Sequence, residues 1–179
     1  MKLVELKWDD AITNASPHPY VLATTTNGKG KDNIIGLGWW TICSWEPPMM
    51  AIAVGTRRFS RECLDSVPEF VVCLLPEQQA KGAWICGTKS GRKVDKFSEA
   101  GFTKIPSLKV RPPTIGESIL AFECKVKNKV ETGDHILYIG EVVAIRGVLE
   151  QKSHLYSIHY RKLIGISPDG KISYDLEFK

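Results

Sequence analysis

Apolar and polar residues fall in short blocks along the whole chain, and the blocks predict strands. Tyr20-Val-Leu-Ala-Thr-Thr-Thr26 is β-branched and closes on Asn27-Gly28, a strong turn pair. Asn33 to Ser44 and Met49 to Val54 are apolar enough to be strands buried on both faces, as is Glu69 to Leu75, closed by Pro76. Leu120, Phe122, Cys124 and Val126 fall on one face and Glu123, Lys125, Lys127 and Lys129 on the other. That period of two predicts a strand with one wet face. Thr132-Gly133-Asp134 turns the chain, and His135 to Val148 returns as a long β-rich segment, completing a hairpin. Tyr156 to Ile166 and Lys171 to Phe178, split by Pro168-Asp169-Gly170, predict a second hairpin.

Helical signals are few. Ser60 is the expected N-cap of a helix over Arg61 to Val67, stopped by Pro68. Glu77 to Cys86 and Val94 to Ala100 are the other candidates, the latter ended by Gly101. Eight or so strands with small helices confined to the middle predict a mainly β fold, an antiparallel closed barrel with helical insertions. No repeat, low-complexity tract or long linker interrupts the 179 residues, so a single domain is expected.

Composition narrows the function classes. Apolar residues make up 43% and charged residues 25%, ordinary for a globular domain and wrong for a disordered or fibrous chain. Twenty-four Lys and Arg against 20 Asp and Glu give +4, too small an excess to point to nucleic acid. The five cysteines, at 43, 63, 73, 86 and 124, have no zinc or iron–sulfur spacing. Scattered and odd in number, they fit free thiols in a reducing cytoplasm. The charged start, MKLVELKWDD, holds no apolar signal-peptide core. Ile34 to Thr56 has only Glu46 as a charge, but Glu46-Pro47-Pro48 interrupts it, so two buried strands joined at a proline corner are expected rather than a membrane span.

The familiar motifs of catalysis are missing: no Rossmann fingerprint, Walker loop, Gly-x-Ser-x-Gly elbow or His-Glu-x-x-His pair. With no self-evident acid, base or nucleophile set, an enzyme built on this chain would leave the reaction to a cofactor. Two segments point to a phosphorylated one. Gly55-Thr56-Arg57-Arg58-Phe59-Ser60-Arg61 follows a buried strand and enters a helix, gathering guanidinium groups, hydroxyls and helix-end amides. Lys89-Ser90-Gly91-Arg92-Lys93-Val94-Asp95-Lys96 is a second basic loop entering a helix. Trp39-Trp40-Thr41-Ile42-Cys43-Ser44-Trp45 is a candidate aromatic wall for a planar ring, with backbone groups at one edge. Each segment also has a plain structural account: solvated basic loops, and tryptophans that fill the core.

Taken together, these pieces resemble a known family. Pro19-Tyr-Val-Leu-Ala-Thr-Thr-Thr-Asn-Gly, Asn33, Ser44-Trp-Glu-Pro-Pro48, Val54-Gly-Thr-Arg-Arg-Phe-Ser60, Gly91-Arg-Lys-Val-Asp-Lys-Phe97 and Gly133-Asp-His135 with Gly140-Glu-Val142 resemble the flavin reductase-like domain, in order over roughly residues 15 to 165. These are FMN-binding split barrels, a group that includes the flavoredoxins and an archaeal ferric reductase. The resemblance implies an antiparallel split barrel and an FMN whose phosphate is held by Thr56, Arg57, Arg58 and Ser60, with Lys89, Ser90, Arg92 and Lys96 approaching from the second loop. It places the isoalloxazine against Trp40, Thr41, Ile42, Cys43 and Ser44, with Asn33 nearby. His135 and Cys43 become the candidates at the reactive edge. It further implies a homodimer, NADH or NADPH as electron donor, and a flavin, iron complex or redox protein as acceptor. Backbone N–H groups of Thr41 to Ser44 would face the charge that builds on the reduced ring. Trp39 and Trp40 stand where many relatives have small residues, so a ring is expected to narrow the pocket.

Simpler accounts accompany the transferred residues: Asn33 as a turn residue, Cys43 as a small buried side chain, His135 as a turn hydrogen-bonder beside Asp134. Two other functions share parts of the pattern. A pyridoxamine-phosphate-oxidase-like barrel also uses FMN, with a different Arg/Lys arrangement. A barrel binding single-stranded nucleic acid would need its tryptophans on an open basic face rather than within apolar strands.

Overall fold

The computed structural model describes residues 3–150 and 152–177. Phe178, the expected end of the last strand, lies outside them, as do the first two residues of the charged N-terminal stretch. In chain order the first elements are α1 (Trp8–Asn14), β1 (His18–Pro19), β2 (Val21–Thr26), β3 (Asp32–Leu37), β4 (Trp40–Trp45), β5 (Pro48–Gly55), α2 (Phe59–Ser66) and β6 (Glu69–Leu74). A single 3-10 turn, Glu77–Gln79, leads into α3 (Ala80–Thr88), followed by α4 (Lys96–Ala100), β7 (Lys104–Ile105) and β8 (Thr114–Ile115). The long hairpin β9 (Leu120–Thr132) and β10 (His135–Gly147) precedes β11 (His154–Ile158), β12 (Lys162–Ile166) and β13 (Ile172–Glu177).

Seven strands form one antiparallel sheet in the order β3-β2-β6-β9-β10-β5-β4, and β1-β11-β12-β13 form a second. The mainly β, antiparallel architecture is as expected. The large sheet, however, keeps two free edges, β3 and β4, so it is an open barrel rather than a closed one.

The buried strands read as apolar runs because both faces are covered. Along β2, Leu22 packs with Cys86, Phe97, Leu155 and Leu163 on the helix side. Val21 and Ala23 pack with Met50, Phe70 and Tyr138 inside the barrel. β6 divides the same way, Val71 and Cys73 outward and Phe70 and Val72 inward.

Several boundaries differ from expectation. The run Asn33 to Ser44 is broken at Gly38-Trp39 into β3 and β4, and β4 is the sheet's outer edge. Its residues Thr41, Ile42, Cys43 and Trp45 are exposed, so Ile34 to Thr56 is three strands, the middle one uncovered. α2 begins at Phe59 with Arg58 as N-cap, and Ser60 sits inside the helix, where its hydroxyl accepts from Asn33. α3 starts three residues later than predicted, behind the 3-10 turn. Tyr156 to Ile166 is itself a hairpin, turning at His159-Tyr160. α1 has no buried residue, hence no apolar stripe to betray it. Glu123, placed by alternation on the wet face of β9, is fully buried. Its carboxylate accepts from Leu108 N at 2.8 Å and Lys109 N at 2.7 Å, with Arg146 at 3.5 Å, so it ties down the loop between β7 and β8.

Candidate functional site

Two basic loops meet at one corner of the sheet, the β5–α2 loop (residues 56–58) and the α3–α4 loop (residues 89–95). Arg92 donates to Arg57 O at 3.1 Å across the junction. Together with Asn33, the Phe59-Ser60 pair and Lys96 they enclose a hollow of about 100 Å³. α4 is anchored by Asp95, whose side chain accepts from Phe97 N at 3.0 Å, and ends at Gly101 with φ 71°. That anchoring sets Lys96 beneath the corner.

Lys96 is 5% exposed, and its ammonium donates to Ile34 O and Cys86 O, both at 2.6 Å. Burial pulls its pKa down to about 8, and the Arg58 charge adds to that. Among the described residues no carboxylate forms an ion pair with Lys96, Arg57 or Arg58, whereas Lys89 pairs with Glu99 and Arg92 with Glu62. A buried cation without a counter-ion, beside two uncommitted guanidinium groups, is an arrangement an anion completes. Asn33 is a buried strand residue rather than a turn residue: its amide donates to Ser60 Oγ at 2.8 Å, and its Oδ1 has no partner. A Cβ at Gly91 would collide with that Oδ1, so only glycine lets the second loop close over it.

A larger hollow of about 340 Å³ adjoins the corner and shares Ile35, Arg58, Gly87 and Thr88 with it. Its walls are Tyr20, Trp39, Trp84, His135 and Tyr160, with Gly36, Gly38 and Gly55 between them. The Tyr20 hydroxyl fills the space that a Cβ at Gly36 or Gly87 would need, so α3 approaches β3 closely only with glycine at both. Burial raises the Tyr20 pKa well above the ordinary phenol value, keeping it a neutral donor to Ala83 O at 3.4 Å.

The β10–β5 register sets His135 opposite Gly55. His135 Nδ1 lies 2.7 Å from Asp134 Oδ1, and its ring packs on Trp39 with centroids 4.7 Å apart. The hydrogen bond from His135 holds the Asp134 carboxyl below the ordinary carboxylate range, with a smaller contribution from Arg57. Thr56 spends both its N–H (2.9 Å) and its hydroxyl (3.1 Å) on Asp134 O, bracing the β9–β10 turn. Gly55, Thr56, Arg57, Arg58, Asp134 and His135 border a third, shallower hollow of about 370 Å³.

The predicted residues thus divide. Asn33, Arg57, Arg58, Ser60, Lys89, Ser90, Arg92 and Lys96 come together at the corner, and Thr56 and His135 stand beside it. Trp40, Thr41, Ile42, Cys43 and Ser44 border none of these hollows. Trp40 turns away, donating Nε1 to Pro19 O at 3.0 Å, and Cys43 is exposed rather than a small buried side chain. The aromatic wall is made instead by Trp39 with Tyr20, Trp84 and Tyr160. Of these, Trp39 alone lay in the segment read as an aromatic wall; Tyr20, Trp84 and Tyr160 lay in predicted strands and a predicted helix with nothing local to mark this role.

Known proteins resemble the chain throughout this region. The profile of the Flavin reductase like domain matches residues 13–163. An uncharacterized protein of Archaeoglobus fulgidus is 32% identical over 136 residues, 75% of this chain and 77% of that one. An NADH:riboflavin 5'-phosphate oxidoreductase of Streptomyces pristinaespiralis is 24% identical over 128 residues, 72% of this chain and 70% of that one. Among solved structures, a flavoredoxin from Methanosarcina acetivorans superposes with a TM-score of 0.76 at 23% identity, covering 100% of this chain and 94% of that one, and so shares the fold. The profile match covers more than half of the chain, which therefore belongs to the Flavin reductase like domain family.

Proposed function

We propose that the chain is, as one domain, an FMN-dependent oxidoreductase that takes electrons from NADH or NADPH and passes them to a flavin, an iron complex or a redox protein. One observation carries this reading: the basic corner and the aromatic hollow are contiguous, joined through Arg58, Gly87 and Thr88, as a phosphate and a planar ring on one short linker require. Bound flavin supplies the two-electron chemistry.

The chain's own residues bind and orient. Arg57, Arg58 and Lys96 meet the phosphate, with Ser60, Ser90, Arg92 and Lys89 around it. The unpartnered Asn33 Oδ1 accepts from a hydroxyl of the ligand. Asp134 fixes His135 through Nδ1, which leaves Nε2 to hold a proton or accept one beside the ring. Arg58, shared by all three hollows, would hold positive charge between the phosphate corner and the aromatic hollow. The edge strand β4 exposes Ile42 (59%) and Trp45 (92%), an apolar edge that a second copy would cover. On this reading the protein is a homodimer, and Thr41 to Ser44 face the partner subunit. The five free cysteines suit a reducing cytoplasm.

The test is an anaerobic titration. The purified protein should retain or take up FMN, show its visible absorbance, and bleach on addition of NADH or NADPH. Failure to bind FMN refutes the reading. Binding without bleaching by either nicotinamide refutes the donor and favours an oxidase of the pyridoxamine-phosphate kind.

A further inference from the structure

Two residues that line the aromatic hollow make a contact between the two sheets that flavin binding does not call for. Trp39, in the β3–β4 loop of the seven-stranded sheet, donates Nε1 to the hydroxyl of Tyr160 at 2.9 Å. Tyr160 belongs to the β11–β12 turn of the four-stranded sheet, 121 residues away in sequence. Both side chains line the hollow, and both are partly exposed, Trp39 at 37% and Tyr160 at 39%, as residues at an opening are.

Each partner is held from behind. Tyr160 stacks on His18, ring centroids 5.7 Å apart and planes within 25°. Trp39 leans on His135 at the reactive end. The turn that presents Tyr160 is made at a cost: His159 and Tyr160 have φ of 52° and 56°, a conformation that side-chain-bearing residues rarely adopt. A backbone kept in that region at two consecutive residues, carrying a ring to the rim of a cavity, fits a placed contact better than an incidental one.

We infer that Trp39 and Tyr160 form a latch across the hollow that slows exchange of the flavin, so that it behaves as a resident group rather than as a diffusing substrate. The inference rests on the FMN reading given above. Because the protein makes the bond by itself, the latch must open for entry and for exit alike. It therefore acts on both rates and leaves the equilibrium affinity nearly unchanged. One neutral hydrogen bond at a partly exposed site shifts such an opening equilibrium by roughly two- to tenfold.

The experiment measures FMN association and dissociation by stopped-flow fluorescence for the full chain and for Tyr160→Phe, which keeps its ring and loses only the hydroxyl, Trp39→Phe, which keeps an aromatic ring and loses the indole N–H, and the double variant. Each single variant should raise both rate constants by roughly two- to tenfold, with Kd within about twofold for Tyr160→Phe, and the Tyr160→Phe change should add no further rate to Trp39→Phe in the double variant. Rates unchanged in both single variants overturn the latch while leaving the FMN site standing. Faster dissociation alone in Tyr160→Phe, with Kd rising in step, shows ordinary loss of binding contacts and also overturns it. Single effects that multiply in the double variant show two independent rings, not a bonded pair, and overturn it as well. A wild-type chain that binds no FMN overturns the latch together with the function it rests on.

Discussion

Replacing Lys96 by Met separates the charge of the anion corner from its shape. The ammonium is buried, bonded only to two carbonyls, and its pKa lies at about 8 because burial penalises the charged form. Arg58 presses it further down, while Cys86, whose own thiol burial holds up at about 12, stays neutral through the range that matters. A phosphate monoester, with its second pKa near 6, is fully charged above neutrality and binds the protonated lysine. FMN affinity should therefore be flat near pH 7, where Lys96 is already charged, and fall above pH 8, to about a tenth by pH 9. Lys96→Met should bind FMN roughly 10- to 100-fold more weakly at pH 7, the effect of one lost charge-assisted contact, and lack the alkaline fall.

Stability moves the opposite way. A lysine whose folded pKa lies below its unfolded one leaves the unfolded chain holding more protons between pH 8 and about 10.5. The unliganded wild type should thus gain up to about 3 kcal/mol relative to Lys96→Met as pH rises through that window. Fluorescence titrations of FMN and urea unfolding from pH 7 to 10 measure both. Wild-type affinity that stays level to pH 9.5, or an alkaline fall of equal size in the variant, would remove Lys96 from the phosphate site.

Four further outcomes follow from other parts of the structure. Arg57→Ala with Arg58→Ala should weaken FMN binding by roughly 30-fold or more, since both side chains are exposed and free of ion pairs, and shift the melting temperature by no more than about 2 °C; unchanged affinity refutes the phosphate role. His135→Gln should slow reduction by NADH or NADPH about 100-fold or more in rapid-mixing measurements at saturating FMN, the usual size of a lost proton-handling group, and an unaltered rate removes it from the reaction. Glu123→Gln, which turns an amide toward one of two backbone N–H groups in a buried site, should cost about 2 kcal/mol by urea unfolding; a loss under about 0.5 kcal/mol would show that the loop is held otherwise. A chromogenic disulfide reagent should leave the four buried cysteines unreacted until unfolding and reach Cys43 more slowly as protein concentration rises and a second copy covers β4; Cys43 labelling that ignores concentration would place the dimer contact elsewhere.

What the sequence made legible follows from how far each signal travels along the chain. β2, β5 and β6 were plain because burial on both faces writes an apolar run, and the β9–β10 hairpin because its outer half alternates. The two basic loops were plain too, since glycine, hydroxyls and arginine beside a helix start are a local pattern. Glu123 was misplaced because its partners, Leu108 and Lys109, are 14 to 15 residues away, and alternation alone cannot register a backbone loop folding down over one position. β4 was misread because an apolar edge strand and an apolar central strand look alike; only the order β10-β5-β4 uncovers it.

The aromatic wall shows the same limit in sharper form. Tyr20, Trp84 and Tyr160 reach the hollow from β2's start, from α3 and from the second sheet, and no short window contains two of them. Between the adjacent Trp39 and Trp40, the strand decides. Trp40 pairs with Ile52 as the first residue of β4, and its indole N–H is taken up by Pro19 O. Trp39 precedes the strand and falls beside His135. That one-residue difference has a chemical consequence: within one subunit the groups fronting the hollow are the His135 imidazole and the Arg58 guanidinium, not the backbone N–H groups of residues 41–44. On the FMN reading, charge developing on a ring held there meets side chains, so its stabilisation responds to single substitutions, whereas a row of backbone amides would not.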